Sequence, residues 1–334
     1  MGAGHGHDSP HAHIPAHAAH DGDRRWLGGA LVLIVAFMAA EVVVGVVARS
    51  LALLSDAAHM LTDAASIALA LWVIRLAARP ATGRMTFGWR RVEILSAQAN
   101  GVTLLVLSVG LTYEAIRRLI APPEVTGGLV VATAVVGAVM NVVAAWMISR
   151  ANRSSLNVEG AFQHVLTDLY GFIATAVAGV VVMVTGFHRA DAIATLIVVA
   201  LMVRAGAGLV RAAIRIFLEA APADIDPAEV GAAMVACDGV VEVHDLHIWE
   251  ITSGSPALSA HILVDPGRDC HAVRENLARW LATDRDIDHA TLQVDHARPD
   301  LIELGAGPGA HCEQAHGPVH RGRDVTSGTD HHRH

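Results

Sequence analysis

The sequence predicts a bundle of six membrane-spanning helices followed by a small soluble α+β domain. Three observations lead there. The 334 residues are 53% hydrophobic with a mean hydropathy of +0.44, and the apolar residues are gathered into long runs, unlike those of a soluble chain. Six of these runs reach the roughly twenty residues needed to cross about 30 Å of hydrocarbon. From about Glu219 the composition turns polar and the spacing becomes that of short helices and strands.

Residues 1–23 hold six histidines, from His5 to His20, among Gly, Ala and Asp. With no basic start followed at once by an apolar core, this is not a signal peptide but a disordered tail, with weak metal capture as a further use. The six spans are placed near 26–48, 51–77, 92–119, 127–149, 158–185 and 190–217, so the membrane part is residues 24–218. Arg49-Ser50 is so short a joint that the first two spans form a tight hairpin. All 24 basic residues are arginine, and their placement sets the orientation. Arg24, Arg25, Arg75, Arg79, Arg84, Arg90, Arg91, Arg150, Arg153, Arg211 and Arg215 fall on one side, against Arg49, Arg117, Arg118 and Arg189 on the other. The excess of arginine on the first side places both termini in the cytoplasm. Arg204 lies inside the sixth span and is expected to snorkel or pair with a neighbour.

Residues 219–300 read as αββαβ. Asp226-Pro227 caps a helix running to about Cys237. Strands at Val240–Ile251 and Leu258–Val264 flank a turn around Ser253-Gly254-Ser255-Pro256, a second helix covers Cys270–Ala282, and a third strand covers Ala290–Val294. A sheet this small is expected to pack against a second copy. Residues 301–334 form a second histidine-rich tail, also expected to be disordered. Cys237, Cys270 and Cys312 have no CxxC spacing, which argues against disulfides and a thiolate zinc knuckle. The net charge of -8 carries no nucleic-acid signal.

Chemistry is concentrated in a repeated pattern. LSDAAHMLTD in the second span places His59 and Asp63 four residues apart, and AFQHVLTD in the fifth places His164 and Asp168 at the same spacing. Four residues of helix advance about 400° and roughly 6 Å, so each pair shares one helix face. An ionisable residue at mid-membrane costs roughly 3 kcal/mol or more, so these four need partners or water. Together they make a cage of two imidazoles and two carboxylates suited to tetrahedral Zn²⁺, with Co²⁺ and Cd²⁺ close behind. The bland alternative, interhelical hydrogen bonding alone, fits a lone histidine better than a duplicated HxLTD. Asp56 reads as a cap or vestibule residue, and Glu41, Asn100 and Asn141 as helix-to-helix hydrogen-bonding groups. In the soluble domain, strand alternation separates His244 from His247 in VHDLHIW. His244, His261 and Asp295 either converge at one end of the domain or are ordinary surface residues.

With HMLTD and HVLTD on the second and fifth spans, SLALLSDAAHMLTD at 50–63, RMTFGWRRVEIL at 84–95, and VHDLHIW in the tail domain, the sequence resembles the cation diffusion facilitator family, in its zinc-transporting branch. The resemblance covers about residues 25–300. It implies a ferredoxin-like, metallochaperone-like cytoplasmic domain and a homodimer in an inner or plasma membrane. It implies exchange of cytosolic zinc for protons by alternating access, with no enzyme activity. The implied transport site is His59, Asp63, His164 and Asp168; the implied cytoplasmic site is His244, His261 and Asp295, with His271 as a bridging ligand. Where some members carry a further histidine this chain has Gln293, which counts against a full two-metal site. In the loop between the second and third spans, Thr86, Trp89 and arginines stand where some members bind metal, so no metal is expected there. An intramembrane zinc hydrolase would need a base such as the Glu of HExxH, and Thr62 and Thr167 occupy the place before each acid. A membrane metal sensor would need an output motif, and residues 219–300 carry none.

Overall fold

A computed structural model describes residues 16–47, 51–122, 127–297 and 317–322, with the side chains of 16–22, 44–45, 51–59, 127–130 and 133 outside that description. The chain divides into two compact units, Met1–Ala213 and Ile214–His334.

The first unit is built from α1 (Ala16–Val47), α2 (Leu51–Ala77), α3 (Val92–Ile120), α4 (Gly127–Ser149), α5 (Leu156–Thr185) and most of α6 (Ala190–Phe217). Helices are the expected outcome for such apolar runs, because a helix satisfies every backbone polar group within itself where no water is available. Five of them are long and apolar enough to cross a membrane, and the described apolar part of α4, Ala134–Ser149, is shorter. The outward faces carry exposed Val32, Val106, Val109, Val184 and Ile197, a surface fitted to acyl chains. Inside, Leu27, Ile34, Met60, Ile67, Ile74, Ile148, Val158, Phe162 and Val165 form one buried cluster joining α1, α2, α4 and α5.

Local chemistry sets the ends of α5. Ser155 is its N-cap, accepting a hydrogen bond from the Val158 N–H at 3.4 Å and donating to Glu93 at the start of α3. This cap starts the helix at Leu156, two residues before the apolar run itself begins. Gly186 closes it in the left-handed conformation, φ 68°, with its N–H on Val182 O at 2.9 Å. Helices α3 and α6 meet through Gly101 and Gly206. A β-carbon on Gly206 would lie 2.8 Å from Gly101 O, and one on Gly101 would lie 3.0 Å from Gly206 O. Small residues here let the two backbones touch.

The second unit has α7 (Pro227–Val235), β1 (Val240–Thr252), β2 (Ser255–Val264), α8 (Cys270–Asp284), β3 (His289–His296) and β4 (His320–Arg321). The sheet order is β3-β2-β1-β4, with β1 antiparallel to β2 and β4, and β2 parallel to β3 across α8. Asp226 caps α7 by accepting from Ala228 N–H at 2.8 Å, and Asp269 caps α8 by accepting from His271 and Ala272 N–H. Val230, Met234, Val243, Ile248, Leu258, Ile262, Leu277, Leu281 and Ile287 form the core between the helices and one sheet face.

Three expectations need correction. Residues 16–23, assigned to the N-terminal tail, are helical, because a formed span propagates helix into polar neighbours at one hydrogen bond per residue. His320 and Arg321, assigned to the C-terminal tail, form a fourth strand on β1, whose edge offers unpaired backbone groups. The strict alternation along β1 fails. His244 pairs with His261 while His247 pairs with Ser259, so one extra residue is inserted between them, and Asp245 takes it up at φ 51°. The bulge returns His247 to the same sheet face as His244, the face turned away from the helices.

Candidate metal centre

Asp63 on α2 meets His164 and Asp168 on α5. His164 Nε2 lies 3.1 Å from Asp63 Oδ1, and one donor atom from each of the three residues lies within 4.8 Å of the others. All three are buried, with 2%, 1% and 9% of their surfaces exposed. Two ligands of a tetrahedral zinc, each at about 2.0–2.2 Å from the ion, stand about 3.3–3.6 Å apart. The His164–Asp63 spacing is slightly shorter than that edge length, so a small opening of this pair seats an ion between them. His59 is on α2 one turn before Asp63, and its side chain lies outside the described residues, as does that of Asp56. Among the described residues, this is the only group of three or more His, Cys, Asp or Glu donors held this close.

Neighbouring polar groups fix the two helices around the cluster. Asn157 Nδ2 donates to Ala70 O on α2 at 3.0 Å, and Ser66 Oγ donates to Asn100 Oδ1 across to α3 at 3.2 Å. Asn100 thus joins two helices as expected, whereas Asn141 donates to Gly137 O of its own helix at 3.1 Å. Thr167 Oγ donates to Gln163 O at 2.7 Å, which commits its hydroxyl to the backbone. Asp168 and Thr167 border a cavity of about 200 Å³ shared with Phe172, Thr195 and Met202. Thr167 also borders a crevice of about 800 Å³ between α5 and α6, with Glu159, Gln163, Tyr170, Arg204 and Arg211 on its walls. Arg204 therefore lines a roomy cleft that also holds Glu159, Gln163 and Arg211.

In the second unit, His244 and His261 sit edge to face with ring centroids 5.5 Å apart. Asp245, aimed by the bulge, places Oδ1 3.0 Å from His247 Nε2 and Oδ2 3.8 Å from His261 Nε2. Asp295 does not join them; it accepts from Gln293 Nε2 at 3.1 Å, and its strand partner is Leu263. His271 sits in the first turn of α8, where its backbone N–H serves the Asp269 cap. Sequence reasoning missed Asp245 as the residue between two histidines, and Glu242, whose Oε1 lies 3.2 Å from His244 Nδ1. The acid between the histidines of VHDLH was the available signal for the first. Burial pushes the Cys237 thiol up from its usual range, and its sulfur donates to Ala233 O, so it is a poor metal ligand at neutral pH.

Apolar spanning helices with a buried nitrogen and oxygen donor cluster define a membrane carrier of metal cations. Family profiles agree: the cation efflux transmembrane domain matches residues 29–218, and the cytoplasmic domain of cation efflux proteins matches residues 222–297. The chain is similar to the metal cation efflux system protein CzcD of Cupriavidus metallidurans, 40% identical over 299 residues that cover 89% of this chain and 91% of the relative. It is similar to the zinc transporter ZitB of Escherichia coli, 34% identical over 328 residues, 97% of this chain and 99% of the relative. The cadmium, cobalt and zinc/H(+)-K(+) antiporter of Bacillus subtilis is 35% identical over 269 residues, 79% of this chain and 86% of the relative. A solved metal-bound C-terminal domain of the CzcD transporter shares 39% identity with 21% of this chain, spanning 99% of that domain with a TM-score of 0.21. The chain belongs to the cation diffusion facilitator family. It is a multi-pass membrane protein for metal cation efflux and not an enzyme, and its second unit is of the family's dimerising type.

Proposed function

We propose that the protein exports Zn²⁺ from the cytoplasm in exchange for protons, by alternating access of a site made of His59, Asp63, His164 and Asp168. The observation that carries this reading is the buried Asp63–His164–Asp168 cluster, which joins two helices at ligand-to-ligand spacing. A mixed nitrogen and oxygen set selects a borderline ion such as zinc over the hard Mg²⁺ and Ca²⁺. Two carboxylates balance the ion's charge, so the loaded site is close to neutral in a medium where an unbalanced charge is costly. On the outward-facing side, protons compete for the donors, and an imidazole with an ordinary value of about 6.5 is readily protonated by modest acidity. Protonation releases the metal and replaces its positive charge for the return step.

The same reading gives six spans within residues 24–218, both termini in the cytoplasm, an inner or plasma membrane, and a homodimer paired through a ferredoxin-like domain at 219–300. There His244 and His261 form a regulatory metal site, completed by Asp295 and His271 after rearrangement or through the partner. Purified protein in liposomes loaded with a zinc-sensitive dye tests the proposal. Zinc entry should rise with an opposing proton gradient and fall to the empty-liposome background in Asp168→Ala. Entry that ignores the gradient, or that survives this substitution, contradicts it.

A further inference from the structure

Residues 317–322 belong to the histidine-rich C-terminal stretch, yet His320 and Arg321 within them are built into the sheet. Arg321 pairs with Glu242 and His320 with Val243, and the Gly322 N–H donates to Val241 O at 3.0 Å. Two side chains fix the docking. Arg321 Nε donates to Glu242 Oε2 at 2.8 Å. On the other face of the strand, the His320 imidazole sits over Gly231 of α7, where any β-carbon would collide with it. The edge of β1 at Val241, Glu242 and Val243 is therefore covered by the chain's own tail, held by a charge-assisted bond and a shape-matched seat.

Glu242 also faces a second neighbour. Its Oε1 lies 3.2 Å from His244 Nδ1, both residues are buried, and His261 stands against His244 on the same face. As in the membrane cluster, 3.2 Å is close to the separation of two donors on one tetrahedral zinc, about 3.3–3.6 Å. One carboxylate thus stands between an arginine of the tail and a histidine expected to bind metal. A divalent cation withdraws negative charge from any carboxylate it binds, which weakens that carboxylate's bond to a guanidinium.

We propose that residues 317–322 are a metal-released latch: Arg321 holds Glu242 before metal binds, and a divalent cation at His244 and His261 takes Glu242 as a further ligand and loosens β4 from β1. This rests on the reading of His244 and His261 as metal ligands. Release frees the histidine-rich tail from the domain when cytoplasmic metal is abundant.

Hydrogen exchange on the full-length protein in detergent, followed in peptides covering 240–244 and 317–322, tests the latch with Zn²⁺ as the probe. In metal-free protein both peptides should be protected, and Arg321→Ala should remove the protection while Arg321→Lys retains most of it. Saturating zinc should speed exchange in both peptides by about tenfold or more, and this acceleration should vanish in Glu242→Gln. Zinc affinity of this site, taken as the difference between each protein and its His244→Ala form so that tail histidines cancel, should be several-fold tighter in Arg321→Ala. Fast exchange without metal overturns the docking. Protection unchanged by zinc, in protein whose zinc binding does depend on His244, overturns the coupling. Zinc binding indifferent to His244→Ala overturns the underlying ligand reading, and is told apart by intact metal-free protection.

Discussion

In the proposed site, Asp63, His164 and Asp168 each bring a donor that the membrane would otherwise penalise. Removing one leaves the others buried beside an incomplete shell, so Asp63→Asn and His164→Ala should each abolish zinc flux while the protein still reaches the membrane as a dimer. Flux measured against expression by size-exclusion chromatography separates the two effects. Retained flux in either variant would remove that residue from the site. At position 59 an imidazole completes the predicted set. His59→Asp should raise transport of Cd²⁺ relative to Zn²⁺, read as the ratio of initial rates with each ion, and an unchanged ratio would show that cage geometry and not this ligand selects the ion. The meeting of Asp63 with His164 and Asp168 was legible in the sequence because HxxxD is a helix-face spacing that recurs on a second apolar run. Asp245 and Glu242 were not legible. Their roles depend on the register of β1 against β2 and β4, which a period-two reading of β1 alone does not contain.

At the scale of elements, the backbone contact between α3 and α6 is a testable joint. Gly206→Ala forces a β-carbon to 2.8 Å from the Gly101 carbonyl oxygen, an overpacking that costs on the order of 1–3 kcal/mol. Gly208 lies on the same helix with nothing within 4 Å of a built β-carbon, so Gly208→Ala should be neutral or slightly stabilising through helix propensity. Thermal unfolding in detergent should show a clear drop for the first and none for the second; equal effects would contradict the packing account. In the second unit, Asp269→Ala removes the acceptor for two N–H groups of α8 and should cost about 1 kcal/mol, measurable as a fall in the denaturation midpoint. The helices were readable from their apolar runs, and α8 from its apolar positions Val273, Leu277 and Leu281. The two-residue strand β4 was not, since His320 and Arg321 have no local pattern and gain their structure only from the edge they meet.

Across the whole molecule, a spanning unit with a buried donor cluster is joined to a domain whose open sheet face gathers His244, His247 and His261. Selection of the ion is assigned to the first and response to cytoplasmic metal to the second, so loss of His244 should alter the zinc dependence of transport and spare the ion preference. Flux against internal zinc concentration in His244→Ala, compared across Zn²⁺ and Cd²⁺, checks this division, and a changed ion preference would contradict it. The two units divide at Ala213 and Ile214, inside α6 and a few residues before the shift in composition near Glu219; the helical start at Ala16 was not legible, because polar residues 16–23 gain helix only as an extension of the span. Zinc X-ray absorption on protein carrying His244→Ala and His261→Ala, with the histidine-rich tails removed, reads the membrane cluster directly. One bound zinc with about four nitrogen and oxygen donors at about 2.0–2.2 Å is expected, lost when Asp63→Asn and His164→Ala are added. A zinc shell that survives those two substitutions would contradict it.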